Sequence, residues 1–257
     1  MDEYKNLIHE AFGNSSEDSD DDDRRQKLQV RKEAQLVFGE NPKWEQISEI
    51  KGLSLCRDFL TSDQQSTLLA SILREGWFND AAHNQAMRFG DLPAWAKELS
   101  TCVLELIRYS DYDPESMDTN TCQIDKQECI FPSELLHRVP LFNQLIVNSY
   151  QPGEGICAHV DLMRFEDGIA LVSLESSCVM HFSRVENGVA TNGKPIEAKI
   201  KIPVYLTPGS LLLISGEARY QWKHEINRKP GFQKWDGLEI DQKRRTSITL
   251  RKLCSSD

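Results

Sequence analysis

Two residue types that bind metal ions stand close together in the second half of the chain. His159 and Asp161 are separated by one residue, so on an extended strand both side chains leave the same face and converge. An imidazole nitrogen and a carboxylate oxygen form two parts of the 2-His-1-carboxylate facial triad, which binds Fe(II) and leaves adjacent coordination positions open. His224 is the best candidate for the third ligand, because it follows the apolar run 210–214. The pattern predicts an iron centre.

The residues around these three extend the pattern. A lone His-x-Asp occurs often by chance, whereas a longer ordered set is specific. The set here resembles the AlkB family of Fe(II)/2-oxoglutarate dioxygenases, closely over the C-terminal part of the chain and loosely over the middle. The residues that carry the resemblance, in order, are Asn148, Tyr150, Pro152, Gly153, His159, Asp161, His224, Arg245 and Arg251.

The resemblance implies a cofactor and two co-substrates. In AlkB-like enzymes, 2-oxoglutarate occupies two positions on Fe(II) through its keto oxygen and the adjacent carboxylate, and O2 takes the third. Oxidative decarboxylation then gives succinate, carbon dioxide and an oxidant that abstracts hydrogen from a C–H bond of the substrate. The metal carries the difficult chemistry, while the protein supplies geometry and excludes water.

The resemblance also implies which residues bind 2-oxoglutarate. Arg245 matches the arginine that pairs with the distal carboxylate, a role that suits a planar guanidinium fork better than a lysine. Arg251 matches the arginine near the metal-end carboxylate, and Asn148 and Tyr150 match residues that hydrogen-bond the co-substrate. Even separations keep each pair on one face of its strand. Ser247 stands where the family often has Asn, so one contact is expected to be shortened or lost.

Length and composition fit an intracellular protein with a buried core. The chain has 257 residues, of which 39% are hydrophobic, and no apolar stretch of about 18 residues that would cross a membrane. Its 7 cysteines, an odd number without a CxxC pair, are typical of reduced thiols in the cytoplasm or nucleus. The net charge of -10 argues against a surface that coats nucleic acid, although the segment 223–252 is locally basic.

Hydrophobic patterning predicts an α+β fold that is mainly β. Residues 1–43 include the acidic run 17–23 and are expected to form a largely disordered tail. Residues 44–257 are predicted to form the AlkB-like domain, with helices and a substrate lid over 44–140 and the core over 141–257. That core is expected to be a double-stranded β-helix, or jelly roll, buttressed by the N-terminal helices. Its predicted strands are 144–150, 156–159, 169–174, 179–183, 196–202, 211–214, 220–224 and 246–250.

Segments before the jelly roll are predicted to buttress it and to recognise substrate. Helices are expected over 64–75, after an N-cap in 61–63, and over 92–109. The stretch 77–90 between them corresponds to the lid over the nucleotide-binding groove in AlkB-like enzymes, although a structural loop is an alternative. The resemblance therefore implies substrate contacts from Trp77, Phe78 and Phe89. Arg219 lies in a segment shared with nucleic-acid-directed AlkB proteins and is expected to help shape the pocket.

The resemblance is strongest to the AlkB branch that modifies the wobble uridine of tRNA. That branch usually carries an RNA-recognition module and a methyltransferase, neither of which is expected within these 257 residues. We therefore predict an oxygenase that demethylates or hydroxylates a modified base in nucleic acid, with RNA favoured over DNA. One alternative is a demethylase or hydroxylase of protein substrates, and another is a catalytically silent binding module. The sequence makes no prediction about oligomeric state.

Overall fold

The computed structural model describes residues 43–80, 82–110, 130–185, 200–229 and 231–254. Apart from its last residue, the predicted acidic tail 1–43 lies outside these ranges. Within them the protein is mainly β with a few helices. None of the helices in the described ranges combines the length and apolarity needed to cross a bilayer.

Two antiparallel sheets form the core. The larger sheet has 7 strands in the order β1-β2-β9-β6-β13-β4-β3, and the smaller has 4 in the order β5-β10-β7-β8. A two-stranded hairpin, β11-β12, completes the β structure of the described residues. The bounds are β1 Trp44–Gln46, β2 Leu53–Cys56, β3 Gln85–Phe89, β4 Gln144–Tyr150, β5 Ile156–His159, β6 Ile169–Leu174, β7 Cys178–Arg184, β8 Lys201–Leu206, β9 Leu211–Ile214, β10 Trp222–Ile226, β11 Lys234–Trp235, β12 Leu238–Glu239 and β13 Arg245–Arg251.

The predicted jelly roll is confirmed. Each of the eight predicted runs corresponds to a strand, and they divide evenly between the central part of the larger sheet and the smaller sheet. The two sheets pack face to face through a buried apolar core that includes Leu171, Met180, Phe182 and Leu212. Strand β6 is buried on both faces, because helices cover the side of the larger sheet that faces away from this core.

Helix α1, Ser62–Arg74, and helix α2, Ala94–Ser110, lie on that outer side. Helix α1 begins where the N-cap was predicted, because Thr61 and Gln64 form a capping box in which each side chain bonds the other's backbone N–H. A short 3-10 helix, Ser133–His137, precedes β4. A one-and-a-half-turn helix, α3, Gly216–Tyr220, connects β9 to β10.

Three segments depart from the predictions for identifiable physical reasons, whereas the two helices differ from the predicted ranges by one or two residues at their ends. Within 77–90, residues Gln85–Phe89 form edge strand β3, which is hard to recognise because most of its side chains are exposed. Strand β10 begins at Trp222 instead of residue 220, because α3 occupies the preceding residues. Strand β8 continues through Pro203 to Leu206, which is possible because β8 is an edge strand where a missing N–H costs little; residues 196–199 of that prediction lie outside the described ranges.

Candidate iron centre and co-substrate pocket

The pairing of β5 with β10 brings two histidines together. His159 and His224 are direct partners across the two antiparallel strands, and their ring centroids are 4.3 Å apart. Asp161 follows immediately beyond β5, with its Oδ2 atom 3.7 Å from Nε2 of His224. One ligand atom from each residue lies within 4.8 Å of the others, so the three side chains can share one ion.

The protonation states of these residues suit metal binding. Burial, together with the adjacent His159 ring, lowers the pKa of His224 to about 4, so this imidazole is neutral at pH 7. Burial alone would raise the pKa of Asp161, but His224 and Arg251 hold it below its ordinary value, so the side chain is a carboxylate. His159 Nδ1 lies 2.8 Å from the Cys157 carbonyl oxygen, which assigns the proton to Nδ1 and leaves Nε2 for a metal.

Arg251 orients the carboxylate of Asp161. Its Nη1 atom donates to Oδ1 of Asp161, on the opposite side of the carboxylate from His224. Its Nε atom donates to Oε1 of Gln144 at 2.6 Å, and its guanidinium lies 3.9 Å from the centre of the Phe165 ring. The arginine is thus held from two sides, and it leaves Oδ2 of Asp161 directed toward the two imidazoles.

The three candidate ligands open onto a cavity of about 130 Å³ between the sheets. This volume suits a small organic acid better than a nucleotide, since sites for larger ligands start at about 300 Å³. Arg245 lines the same cavity and is only 3% exposed. Its Nε atom donates to Oγ of Ser173 at 2.9 Å, but Nη1 and Nη2 have no hydrogen-bond partner among the described residues.

The unpaired guanidinium atoms of Arg245 indicate a missing anion. A buried charged group without partners is costly, whereas a bound carboxylate would accept from both Nη atoms in a fork. Tyr150 is the cross-strand partner of Arg245, and the guanidinium carbon lies 5.5 Å from the centre of the tyrosine ring. Burial raises the pKa of Tyr150, so its hydroxyl remains a hydrogen-bond donor at neutral pH.

Asn148 and Ser247 lie opposite each other on β4 and β13, and both line the cavity. The Oδ1 atom of Asn148 accepts a hydrogen bond of 2.7 Å from Nε2 of Gln85 on the edge strand β3. Because the oxygen of the Asn148 amide accepts from Gln85, its NH2 group points away from Gln85 and can donate to a ligand in the cavity. Gln85 therefore takes part in shaping the cavity.

Comparison with known proteins agrees with this geometry. The family model described as "2OG-Fe(II) oxygenase superfamily" matches residues 52–251, which include every strand of the two sheets except β1 and all the residues of the cavity. The chain belongs to this superfamily. The oxygenase therefore uses Fe(II), 2-oxoglutarate and O2. The donor set of His159, Asp161 and His224 fits Fe(II), and the unpaired Nη atoms of Arg245 fit a carboxylate of 2-oxoglutarate.

Three relatives are informative. Protein L905 of Acanthamoeba polyphaga mimivirus is 29% identical over 214 residues, covering 82% of this chain and 89% of its own. The "Alkylated DNA repair protein ALKBH8 homolog" of Arabidopsis thaliana is 30% identical over 227 residues. The aligned part covers 79% of this chain and 59% of the plant protein. The "tRNA (carboxymethyluridine(34)-5-O)-methyltransferase alkbh8" of Xenopus tropicalis is 27% identical over 74% of this chain and is matched over only 27% of its length. The resemblance to AlkB proteins is thereby confirmed.

Two of the predicted substrate residues lie on the other side of the larger sheet. Trp77 packs against Trp95 of α2 at 6.1 Å and is covered at 4.3 Å by Arg88, which points away from the cavity face of β3. Phe78 lines a separate cleft beside α1. Among the described residues that line the oxygenase cavity, neither aromatic occurs.

Phe89 occupies a different position from those two aromatics. It lies on the same face of β3 as the cavity-lining Gln85, and its side chain is 46% exposed. The Arg164 guanidinium lies 5.6 Å from the centre of its ring. Leu162 and Met163, just beyond Asp161, are also exposed. We refer to Phe89, Leu162, Met163 and Arg164 as the rim.

Arg219 lies under the surface, where it is 2% exposed and donates to backbone carbonyls of the segment that follows Asp161. Sequence reasoning missed Gln85, Gln144 and Ser173, which orient Asn148, Arg251 and Arg245. The sequence pattern could have indicated two of these residues, Gln144 and Ser173. Ser173 is the polar residue of an otherwise apolar strand, Gln144 immediately precedes the apolar run 145–147, and both lie at even separations from cavity-facing positions.

Proposed function

We propose that this oxygenase acts on a modified base in nucleic acid, which it demethylates or hydroxylates, and that RNA is preferred to DNA. The catalytic part rests on one observation: a His-Asp-His cluster and a buried arginine with two unpaired Nη atoms line the same small cavity. The class of substrate, nucleic acid, and the reaction, demethylation or hydroxylation of a base, are inferred from the relatives and from the residues of the rim.

In this proposal each cavity residue has a defined task. His159, Asp161 and His224 bind Fe(II), and Arg251 keeps the carboxylate of Asp161 turned toward it. Fe(II) with 2-oxoglutarate supplies the oxidising chemistry that attacks an unactivated C–H bond. The Nη atoms of Arg245 donate to the distal carboxylate of 2-oxoglutarate, a charge-assisted fork that fixes its position along the cavity. Asn148 and Tyr150 donate further hydrogen bonds to it.

The cavity walls also contribute to the reaction. Apolar side chains from both sheets surround the space between the iron ligands and Arg245, including Ile146, Leu171, Met180 and Ile226. They exclude bulk water, which strengthens the electrostatic contacts with the co-substrate and protects reactive species from side reactions. The cavity is filled by the co-substrate, so the substrate is expected to approach from the rim.

The rim supports a nucleic-acid substrate. Phe89 offers an exposed aromatic face, and Arg164 places a cation beside it. Aromatic and guanidinium groups stack on bases of any identity, and a cation also attracts the phosphate backbone. The relatives named for ALKBH8 carry nucleic-acid functions in their names, one for DNA repair and one for tRNA methyl transfer. The chain aligns with only part of those proteins, so their substrates enter here as a proposal.

A substrate panel tests this proposal. Succinate release is measured with Fe(II) and 2-oxoglutarate against oligonucleotides of RNA and DNA that carry methylated or carboxymethylated bases, and against methylated peptides. We expect turnover with a modified RNA that is absent in the Asp161→Ala variant. Turnover with a methylated peptide and with none of the oligonucleotides would reject the nucleic-acid proposal and favour the protein-directed alternative.

A further inference from the structure

One buried side chain donates to three backbone carbonyls of the segment that begins at the candidate ligand Asp161. Arg219, at the end of α3, donates from Nη1 to the Asp161 carbonyl at 2.9 Å, and from Nη2 to the carbonyls of Leu162 at 2.8 Å and Phe165 at 3.1 Å. Three backbone carbonyls therefore converge on one guanidinium. The arginine fixes the course of the chain from Asp161 to Phe165.

The same segment is tied to the other end of α3. The carboxylate of Asp167 accepts from the backbone N–H of Gly216, with 3.0 Å to each oxygen, and from the N–H of Gly168 at 2.7 Å. Gly216 is the first residue of α3, and Arg219 is its fourth. Helix α3 and the segment 161–168 are thus joined at both ends. We refer to the two ties, Asp167–Gly216 and Arg219 with its carbonyls, as the bracket.

The bracket connects the two sides of the candidate iron centre. Tyr220 ends α3, and β10 begins at Trp222, so His224 follows the bracket closely along the chain. Asp161 stands at the start of the bracketed segment. The position of Asp161 relative to His224 therefore depends on the bracket as well as on the pairing of β5 with β10.

The burial of Arg219 is unusual for a packing residue. It is 2% exposed and forms no ion pair with any acid among the described residues, and its Nε atom has no hydrogen-bond partner there. Burying a charge without a counter-charge is costly, so an apolar side chain would occupy a purely structural site at lower cost. Only a guanidinium presents enough donors, in a rigid plane, to hold three carbonyls at once.

We propose that Arg219 is a positioning residue that sets metal affinity by fixing Asp161 against His224, and that it does not contact the substrate. This inference rests on the proposed function, because it takes these residues as the iron ligands. It replaces the pocket-shaping role expected from sequence. Groups that orient metal ligands from behind typically change metal affinity by about 10- to 100-fold when they are removed.

Titration of the whole chain with Mn(II), followed through the electron paramagnetic resonance signal of the free ion, tests the proposal. Lysine retains the charge of Arg219 but replaces its planar fork with a single ammonium group. We expect Arg219→Lys to weaken Mn(II) binding about 10-fold or more in protein shown to be folded by circular dichroism. Glu217→Gln is the matched control, because Glu217 lies on the same helix and its side chain pairs, within the described ranges, with the exposed Arg184 at 3.4 Å. It should leave the affinity unchanged.

Asp167→Ala removes the carboxylate that accepts from Gly216, the other half of the bracket. This variant tests the proposed effect on Mn(II) affinity if Arg219→Lys does not fold. We expect a smaller loss of Mn(II) affinity in the same direction. Folded variants that are less stable to heat but bind Mn(II) as tightly as the unaltered chain would show that the bracket is only structural. Absence of Mn(II) binding by the unaltered chain would instead overturn the proposed function, and this inference with it.

Discussion

Both faces of strands β4 and β13 carry buried side chains, but the chemistry of the two faces is opposite. The face toward the cavity carries Asn148, Tyr150, Arg245 and Arg251, and the face toward the helices carries Leu145, Val147, Ile248 and Leu250. On the helix face the apolar side chains bury one another. On the cavity face, buried polar groups remain unpaired, as at Arg245. On these two strands, burial alone therefore does not distinguish the functional face, whereas the unpaired Nη atoms of Arg245 do.

This contrast arises from strand geometry. Successive side chains point to opposite faces, so a change of one residue in register would exchange the two sets. The pairing Arg245–Tyr150 and Ser247–Asn148 keeps every ligand-binding group on the cavity side. Substitutions on the cavity face should then change ligand affinity, and substitutions on the helix face should change stability. The following predictions test that separation, beginning with the largest expected effect.

Asp161→Ala should cause the greatest loss. It removes the carboxylate of the candidate iron centre and leaves the Nη1 atom of Arg251 without its buried acceptor. We expect Mn(II) affinity and succinate release to fall by more than about 100-fold, the upper end of what supporting residues around a metal cost. Asp241→Ala, at an exposed position, serves as the control. Metal binding that survives in Asp161→Ala would place the ion elsewhere.

Arg245→Lys should chiefly affect 2-oxoglutarate. An ammonium group replaces the two unpaired Nη donors with a single point charge, so the fork to the distal carboxylate is lost. We expect the KM for 2-oxoglutarate to rise about 10-fold, which corresponds to about 1.4 kcal/mol, while Mn(II) affinity is unchanged. Arg244→Lys is the matched control, since Arg244 is exposed and pairs with Glu175. Equal KM values for the two variants would exclude the proposed role of Arg245.

Val147→Ala tests the helix face of β4. Val147 is fully buried next to the cavity-facing Asn148. Deleting two methyl groups should lower the free energy of unfolding by about 2 kcal/mol, from lost burial and the space left behind. Urea unfolding measures this change, and the KM for 2-oxoglutarate should stay the same. A KM that rises together with the loss of stability would mean that the two faces are coupled through the strand.

Sequence reasoning found what depends on residue type and spacing. The eight core strands, the iron ligands and the polar cavity residues of β4 and β13 follow from alternation and from the resemblance to AlkB proteins. It could not find β3, because an exposed edge strand lacks the alternation that marks a half-buried one. For the same reason Trp77 and Phe89 looked equivalent in sequence. Their separation by the sheet depends on the pairing of β3 with β4, which is a tertiary contact.

The pair Phe89 and Trp77 gives the smallest expected effect on catalysis and the most direct test of which side the substrate uses. Phe89→Ala removes an exposed aromatic face at the rim, and stacking of a base on such a ring contributes about 1 kcal/mol at the low end, so the KM for the best substrate of the panel should rise about 5-fold. Trp77→Ala removes packing against Trp95 and Arg88 and should lower the unfolding free energy without changing that KM. Steady-state kinetics at saturating 2-oxoglutarate, with urea unfolding of the same samples, separates the two results. A higher KM in Trp77→Ala than in Phe89→Ala would place the substrate on the helix side of the sheet and contradict the rim as its point of approach.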